Sequence, residues 1–140
     1  MPEQYAMEVE TFLQYIYPQT KDLCLHFLTL VSGILVFSVT FSEKIVGFHT
    51  AGVWARRLLL AAWVLFVTSI IAGGASLTML FLAAGRAFAG AAHWADLMVT
   101  AGYWLFFAGG VFCLGLMALA VAGTVHVLTR SINERTDIAT

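Results

Sequence analysis

The chain has 140 residues, of which 61% are hydrophobic and only 11% are charged. A soluble domain usually carries about 25% charged residues, so this composition indicates a single domain that is solvated by lipid. The net charge of -1 and the absence of any run of like charges exclude the basic surface that nucleic-acid binding requires. We therefore expect membrane lipid as a partner, and no nucleic acid.

The first predicted element is an amphipathic helix within residues 1–20. Val9, Phe12 and Ile16 recur at helical spacing, and polar residues occupy most positions between them. Proline interrupts the hydrogen bonding of a regular helix, so Pro18 is predicted to end this one. Two interpretations remain open: the helix folds over the rest of the protein, or it docks a partner.

Three stretches are then predicted to cross the membrane, at residues 23–41, 58–84 and 98–128. None of them contains Asp, Glu, Lys or Arg, and about 20 apolar residues suffice to cross about 30 Å of hydrocarbon. A division of the second stretch at Gly73 and Gly74 would leave two pieces too short to cross. The sequence therefore predicts an all-α bundle of three transmembrane helices in one membrane domain, residues 1–140.

The basic residues predict the orientation of these spans, because Lys and Arg are retained on the cytoplasmic side. An outside N-terminus and a cytoplasmic C-terminus place five of the seven basic residues in the cytoplasm. Lys21 and Arg86 then lie outside. We expect a multi-pass protein of a bacterial inner membrane. The five cytoplasmic residues would be Lys44, Arg56, Arg57, Arg130 and Arg135.

Small residues recur on one face of the second and third spans, mostly seven residues apart. Such faces let helix backbones approach closely, so they predict helix-packing seams. Three spans cannot easily cover both seams alone, which predicts a homo-oligomer; packing of both seams within one chain is the alternative. The seam residues are Ala62, Ser69, Gly73, Ser76 and Ala83 on the second span, and Ala108, Gly115, Ala118 and Ala122 on the third.

The first span carries the most polar face within the membrane. His26, Thr29, Gly33 and Thr40 share this face, which continues into Glu43. Polar groups at membrane depth face protein or water, so these five residues are candidates to line a pore in an oligomer. The alternative is that the threonine hydroxyls bond to the backbone of their own helix.

The sequence offers little for catalysis or for a cofactor. His26 and His126 lie in spans, but the predicted topology places them in opposite leaflets, so they cannot bind one metal ion within a chain. No acidic residue lies in a span, and no phosphate-binding loop or catalytic triad is recognisable. We expect no enzyme activity, no cofactor and no metal site.

Residues 26–41 read HFLTLVSGILVFSVTF and are followed at residues 57–63 by RLLLAAW. This combination resembles a class of small bacterial multi-spanning proteins, in which a first span of the type LSGG-x-L-x-L-S-[IV]-T-F precedes a second span that opens with a basic residue and SW. Ala62 stands where that class has serine before the tryptophan. Several members look like membrane effectors of antiviral defence systems that breach or depolarise the inner membrane when a sensor triggers them.

These observations together predict a homo-oligomeric, channel-like effector that alters membrane permeability and is gated by a cytoplasmic sensor or another partner. One alternative is a membrane subunit without a pore that anchors or assembles a larger complex. The other is a haem- or quinone-binding membrane anchor, although the histidine and arginine motifs of respiratory anchors are missing.

Overall fold

The computed structural model describes residues 7, 9–40, 42, 53–90 and 93–138. A π-helical turn, Phe12–Ile16, leads directly into helix α1, Tyr17–Thr40. Helix α2 is Val53–Phe88 and helix α3 is Trp94–Ile138. Within this part of the chain, three segments are long and apolar enough to cross a membrane: Val9–Thr40, Val53–Phe88 and Trp94–Val125. The protein is therefore the all-α, three-span membrane bundle that its sequence predicts.

The observed helices extend beyond the predicted spans. α2 has 36 residues, about 54 Å at 1.5 Å per residue, and it passes through Gly73 and Gly74 without a break. Division of this segment into two spans is therefore excluded. The last predicted residue of the first span, Phe41, lies outside the described residues, as do residues 1–6 and 8 of the predicted amphipathic helix.

The predicted end of the N-terminal helix at Pro18 is wrong. The chain stays helical from residue 9 to Thr40, so the N-terminal helix is part of the first span. The π-helical turn lies just before the proline, and its Tyr17 N–H donates to the Phe12 carbonyl. A wider turn relieves the clash between a proline ring and the preceding turn, which accounts for the continuation of the helix.

α2 is the central helix and packs against both of its neighbours, whereas α1 and α3 contact each other much less. Along α1, Tyr17 lies near Phe81 of α2 and the later Cys24 lies beside the earlier Ser76. Along α3, Ala101 is bonded to Ser76 and the later Ala108 to the earlier Ser69. α1 and α3 therefore run in the same direction, antiparallel to α2. We call the end where α1 and α3 begin the upper end of the bundle, and the opposite end the lower end.

The buried apolar residues form three clusters along the length of α2. The upper cluster joins Phe12 to Leu80 and to alanines of α2 and α3, and the Phe12 ring centroid lies 4.8 Å from that of Trp94. The middle cluster contains Phe66 and Phe112, and the lower cluster contains Leu59. The apolar face of the N-terminal segment thus packs on the bundle, as a direct extension of α1.

Candidate functional site

The predicted pore-lining residues of α1 lie on its outward face. The opposite face packs on α2 and buries Cys24, Val31 and Ser38, which follow one another at seven-residue intervals. Gly33 is nine residues from Cys24, half a turn around the helix at about 100° per residue. His26, Thr29, Gly33 and Thr40 are all exposed, and we call these four residues the polar stripe. Glu43 lies outside the described residues.

The polar groups of the stripe bond within α1 itself. Thr29 Oγ1 donates to the Leu25 carbonyl at 2.9 Å, and Thr40 Oγ1 donates to the Val36 carbonyl at 2.8 Å. These bonds are the ones expected under the alternative to pore lining, and they mean that the threonines need no water or partner chain to satisfy their donors. Each hydroxyl oxygen still carries lone pairs that face away from the bundle. The hydroxyl hydrogens are thus already used within α1, while the oxygens remain able to accept hydrogen bonds from water or from another chain.

The seams of α2 and α3 face each other within one chain. Ser69 Oγ donates to the Ala108 carbonyl at 2.8 Å, and Ser76 Oγ donates to the Ala101 carbonyl at 2.7 Å. Both serine side chains are buried, as are Ala62, Ala83 and Ala122. The small residues therefore join α2 to α3 inside the protomer, and any self-association needs support from a different face.

The closest approach in this seam is at Gly115 of α3. A Cβ atom built at this position would lie 2.7 Å from Cε1 and 2.9 Å from Cδ1 of Phe66. Phe66 is fully buried in the middle cluster and has little room to move. Gly115 is thus required for the packing of α3 on this ring, whereas Ala118 is only half-buried at the edge of the same cluster.

Gly73 belongs to a different contact from the rest of its predicted seam. A Cβ at Gly73 would lie 3.0 Å from Leu28 Cδ2 and 3.6 Å from Phe27 Cδ1, both on α1. α2 therefore offers one small-residue face to α3 and a second to α1. Seven-residue spacing identifies the first of these faces. Gly73 lies four residues after Ser69, outside that series, and belongs to the second face.

Charged residues mark the depth of the bundle in the membrane. Tyr17 packs near Phe81, and Cys24 lies beside Ser76, so Lys21 is level with the turn of α2 that contains Thr78. Thr78 follows Arg57 by 21 residues, which is about 31 Å of helix. This length matches a hydrocarbon layer of about 30 Å. The polar stripe then lies within the hydrocarbon, with His26 near its upper boundary.

The two described histidine rings have separate partners. His26 Nδ1 lies 2.6 Å from the Asp22 carbonyl oxygen. His93, which immediately precedes α3, has its Nδ1 3.1 Å from Oδ2 of Asp96 in the first turn of α3. Among the described side chains, no three His, Cys, Asp or Glu residues come together as metal ligands. His126 lies on the α3 backbone towards the lower end, far along the bundle from His26.

Two features of α1 escaped the sequence interpretation although their signals are visible. Cys24, Val31 and Ser38 have the same seven-residue spacing as the seams, but only Cys24 and Ser38 are small or polar, so the series looks unremarkable. Asp22 precedes His26 by one helical turn, and both are exposed. Attention to i, i+4 pairs would have linked this carboxylate to the polar stripe.

No protein-family model, curated protein or solved structure matches this chain. The geometry of the bundle is therefore the basis on which a function can be assigned.

Proposed function

We propose that this protein is a homo-oligomeric, channel-like protein of a bacterial inner membrane that alters membrane permeability. In this assembly the α1 helices face the centre, and their polar stripes line the path. The observation that carries the proposal is the position of the stripe, which is exposed directly opposite the face that packs on α2. Polar side chains within a span normally face protein or a water-filled cavity rather than lipid.

The division of labour among the helices supports this arrangement. α2 and α3 are joined by buried serine hydrogen bonds and form the rigid wall. α1 packs on only one side of that wall, so its outer face is available to neighbouring copies. A path lined by hydroxyls and an imidazole can be wetted without the cost of a buried charge, which suits passive permeation better than proton-coupled transport.

The resemblance of residues 26–41 and 57–63 to small bacterial membrane proteins supports a more specific proposal. The protein would act as an effector of antiviral defence that opens when a cytoplasmic sensor or other partner binds. Lys44, which follows α1 in the sequence, and Arg56 and Arg57, near the start of α2, support a cytoplasmic position for this end of the bundle and for the C-terminus.

The proposed orientation predicts which side of the membrane accepts a label. In a background with Cys24→Ala and Cys113→Ala, a single cysteine at Tyr15, whose side chain is exposed, should react with an impermeant maleimide from the periplasmic side. A single cysteine at Trp54, which is also exposed, should react only after the inner membrane is opened. The reverse pattern would overturn the orientation.

The proposed pore predicts a loss of permeation when the stripe loses its hydroxyls. The double variant Thr29→Val/Thr40→Val keeps the side-chain shape and removes two wetting groups, so dye leakage from proteoliposomes should fall by several-fold. The matched control is Thr68→Val/Thr78→Val, because these hydroxyls are also exposed and bond within their own helix, α2.

If only the stripe variant loses dye leakage, the loss is specific to the α1 path. If the α2 control loses it equally, the loss is a general effect of removing hydroxyls from the spans. Equal leakage from wild type and from the stripe variant, with particle mass unchanged, would contradict a path along α1. A monomeric wild-type particle in detergent would contradict the assembly itself.

A membrane subunit without a pore is the second candidate, and an open groove on α3 favours it. Apart from adjacent residues and the local helix backbone, no atom lies within 4 Å of a Cβ built at Gly102, Gly109 or Gly110, and Phe106 beside them is 87% exposed. Glycine faces of this kind accept the helix of another protein at short distance. Wild-type protein that never leaks dye and co-purifies with a second membrane protein would favour this function over the channel.

A further inference from the structure

The His26 ring is held in an orientation that leaves one nitrogen free to bind a ligand. Its Nδ1 lies 2.6 Å from the Asp22 main-chain carbonyl. A carbonyl oxygen only accepts, so Nδ1 carries the hydrogen, and in the neutral ring Nε2 carries the lone pair. Histidines that bind metals commonly donate their other ring N–H to a backbone carbonyl or a carboxylate in this way.

The side chain of Asp22 supplies a second possible ligand on the same face. It precedes His26 by four residues, so the two side chains share one side of α1. Its carboxylate is 62% exposed, and its ion pair with Lys21 is long, at 3.9 Å between Nζ and Oδ1. An exposed ion pair of this kind contributes little free energy, so the Asp22 carboxylate can leave Lys21 and turn towards an ion bound at His26.

We infer that Asp22 and His26 form half of a Zn²⁺ site, which a second copy of the chain completes with the same two residues. This inference rests on the proposed assembly, in which neighbouring α1 helices present the same residues at the same depth. Zinc takes about four ligands in tetrahedral geometry and accepts imidazole nitrogen and carboxylate oxygen together. One chain supplies only two such ligands here, because no cluster of three exists among the described side chains.

The depth of the pair favours access for a hydrated ion. Lys21 and Asp22 lie at the upper boundary of the hydrocarbon layer, about two helical turns above Thr29, the first threonine of the stripe. An ion at this level can exchange with water, while it links two α1 helices. The site would therefore couple zinc to the association of the chains at one mouth of the path.

Zinc binding to the full-length protein in detergent tests the inference without any need for permeation. Calorimetric titration with Zn²⁺ should give about one ion for two chains. His26→Ala should weaken binding at least about tenfold, since loss of an outer hydrogen bond to a ligand alone can have an effect of that size. Asp22→Asn, which keeps the main-chain carbonyl that orients the ring, should also weaken it. His93→Ala is the control, because His93 is exposed and already contacts Asp96.

The outcomes separate this inference from the proposed function. Light scattering of the same samples reports the particle mass, and leakage is measured separately in liposomes. An oligomer that leaks dye but binds zinc equally well with His26→Ala overturns the site and leaves the channel proposal standing. Binding of one ion per chain, or full affinity in Asp22→Asn, also overturns the shared four-ligand site. A monomeric particle contradicts both.

Discussion

Replacement of Gly115 by leucine is expected to lower the stability of the bundle by more than any other single change at a glycine of α3. The first atom of the new side chain would already lie 2.7 Å from the buried ring of Phe66. Overpacking of a well-packed core generally costs about 1–3 kcal/mol, and here the remaining leucine atoms must also be accommodated. Thermal unfolding in detergent should show a clear loss of stability, with less folded protein recovered.

The matched control for this substitution is Gly123→Leu in the same helix. Apart from adjacent residues and the local helix backbone, no atom lies within 4 Å of a Cβ built at Gly123, so a leucine there extends into open space. Its stability should be equal to the wild type or slightly higher, because glycine disfavours a helix interior. If Gly115→Leu unfolds at the wild-type temperature, α3 does not approach Phe66 as closely as described.

The double variant Ser69→Ala/Ser76→Ala is expected to show the second-largest loss of stability, about 1–3 kcal/mol in total. Both hydroxyls donate to carbonyls of α3 from buried positions. One hydrogen bond between membrane helices contributes about 0.6 kcal/mol on average and up to about 1.7 kcal/mol. The alanines leave two α3 carbonyls with one partner fewer, and the effect can be measured by reversible unfolding in mixed micelles.

The comparison for the serine pair is Thr68→Val/Thr78→Val, which also removes two hydroxyls from α2. Those hydroxyls bond to carbonyls of the same helix, at Val64 and Gly74, and are exposed. Their loss should change stability little. Equal losses in the two double variants would mean that the bonds from α2 to α3 contribute nothing beyond local helix effects.

The apolar runs of the sequence predict the number and type of the elements well. A long stretch without charged residues has few structural options in lipid, where all backbone groups must bond within the segment. The uninterrupted passage of α2 through Gly73 and Gly74 follows from the same requirement. The first and last residues of each helix are less predictable, because the helices continue past the hydrocarbon layer where a neighbouring helix covers them. The contact between the rings of Phe12 and Trp94 at the upper end is an example.

The partners of each helix face could not be read from the sequence. A seven-residue repeat shows which residues share a face, but the same spacing suits a neighbour in the same chain or in another chain. The spacing places Gly115 in a packing seam, but only the folded bundle shows that its neighbour is Phe66. Pro18 gave a misleading signal, because a single wider turn before it was sufficient to keep the helix continuous. The exposed position of the polar stripe likewise depends on which face of α1 packs on α2.

The unequal packing of the three helices indicates the order in which they associate as the protein folds in the bilayer. α2 and α3 are joined by a short connection, and the buried serine bonds tie them together. This helical hairpin can therefore form as a unit in the bilayer. α1 contacts the hairpin mainly through apolar side chains around Val31 and Gly73. It should dock after the hairpin and detach before it unfolds, so α1 is the helix most free to exchange neighbours while copies of the chain assemble.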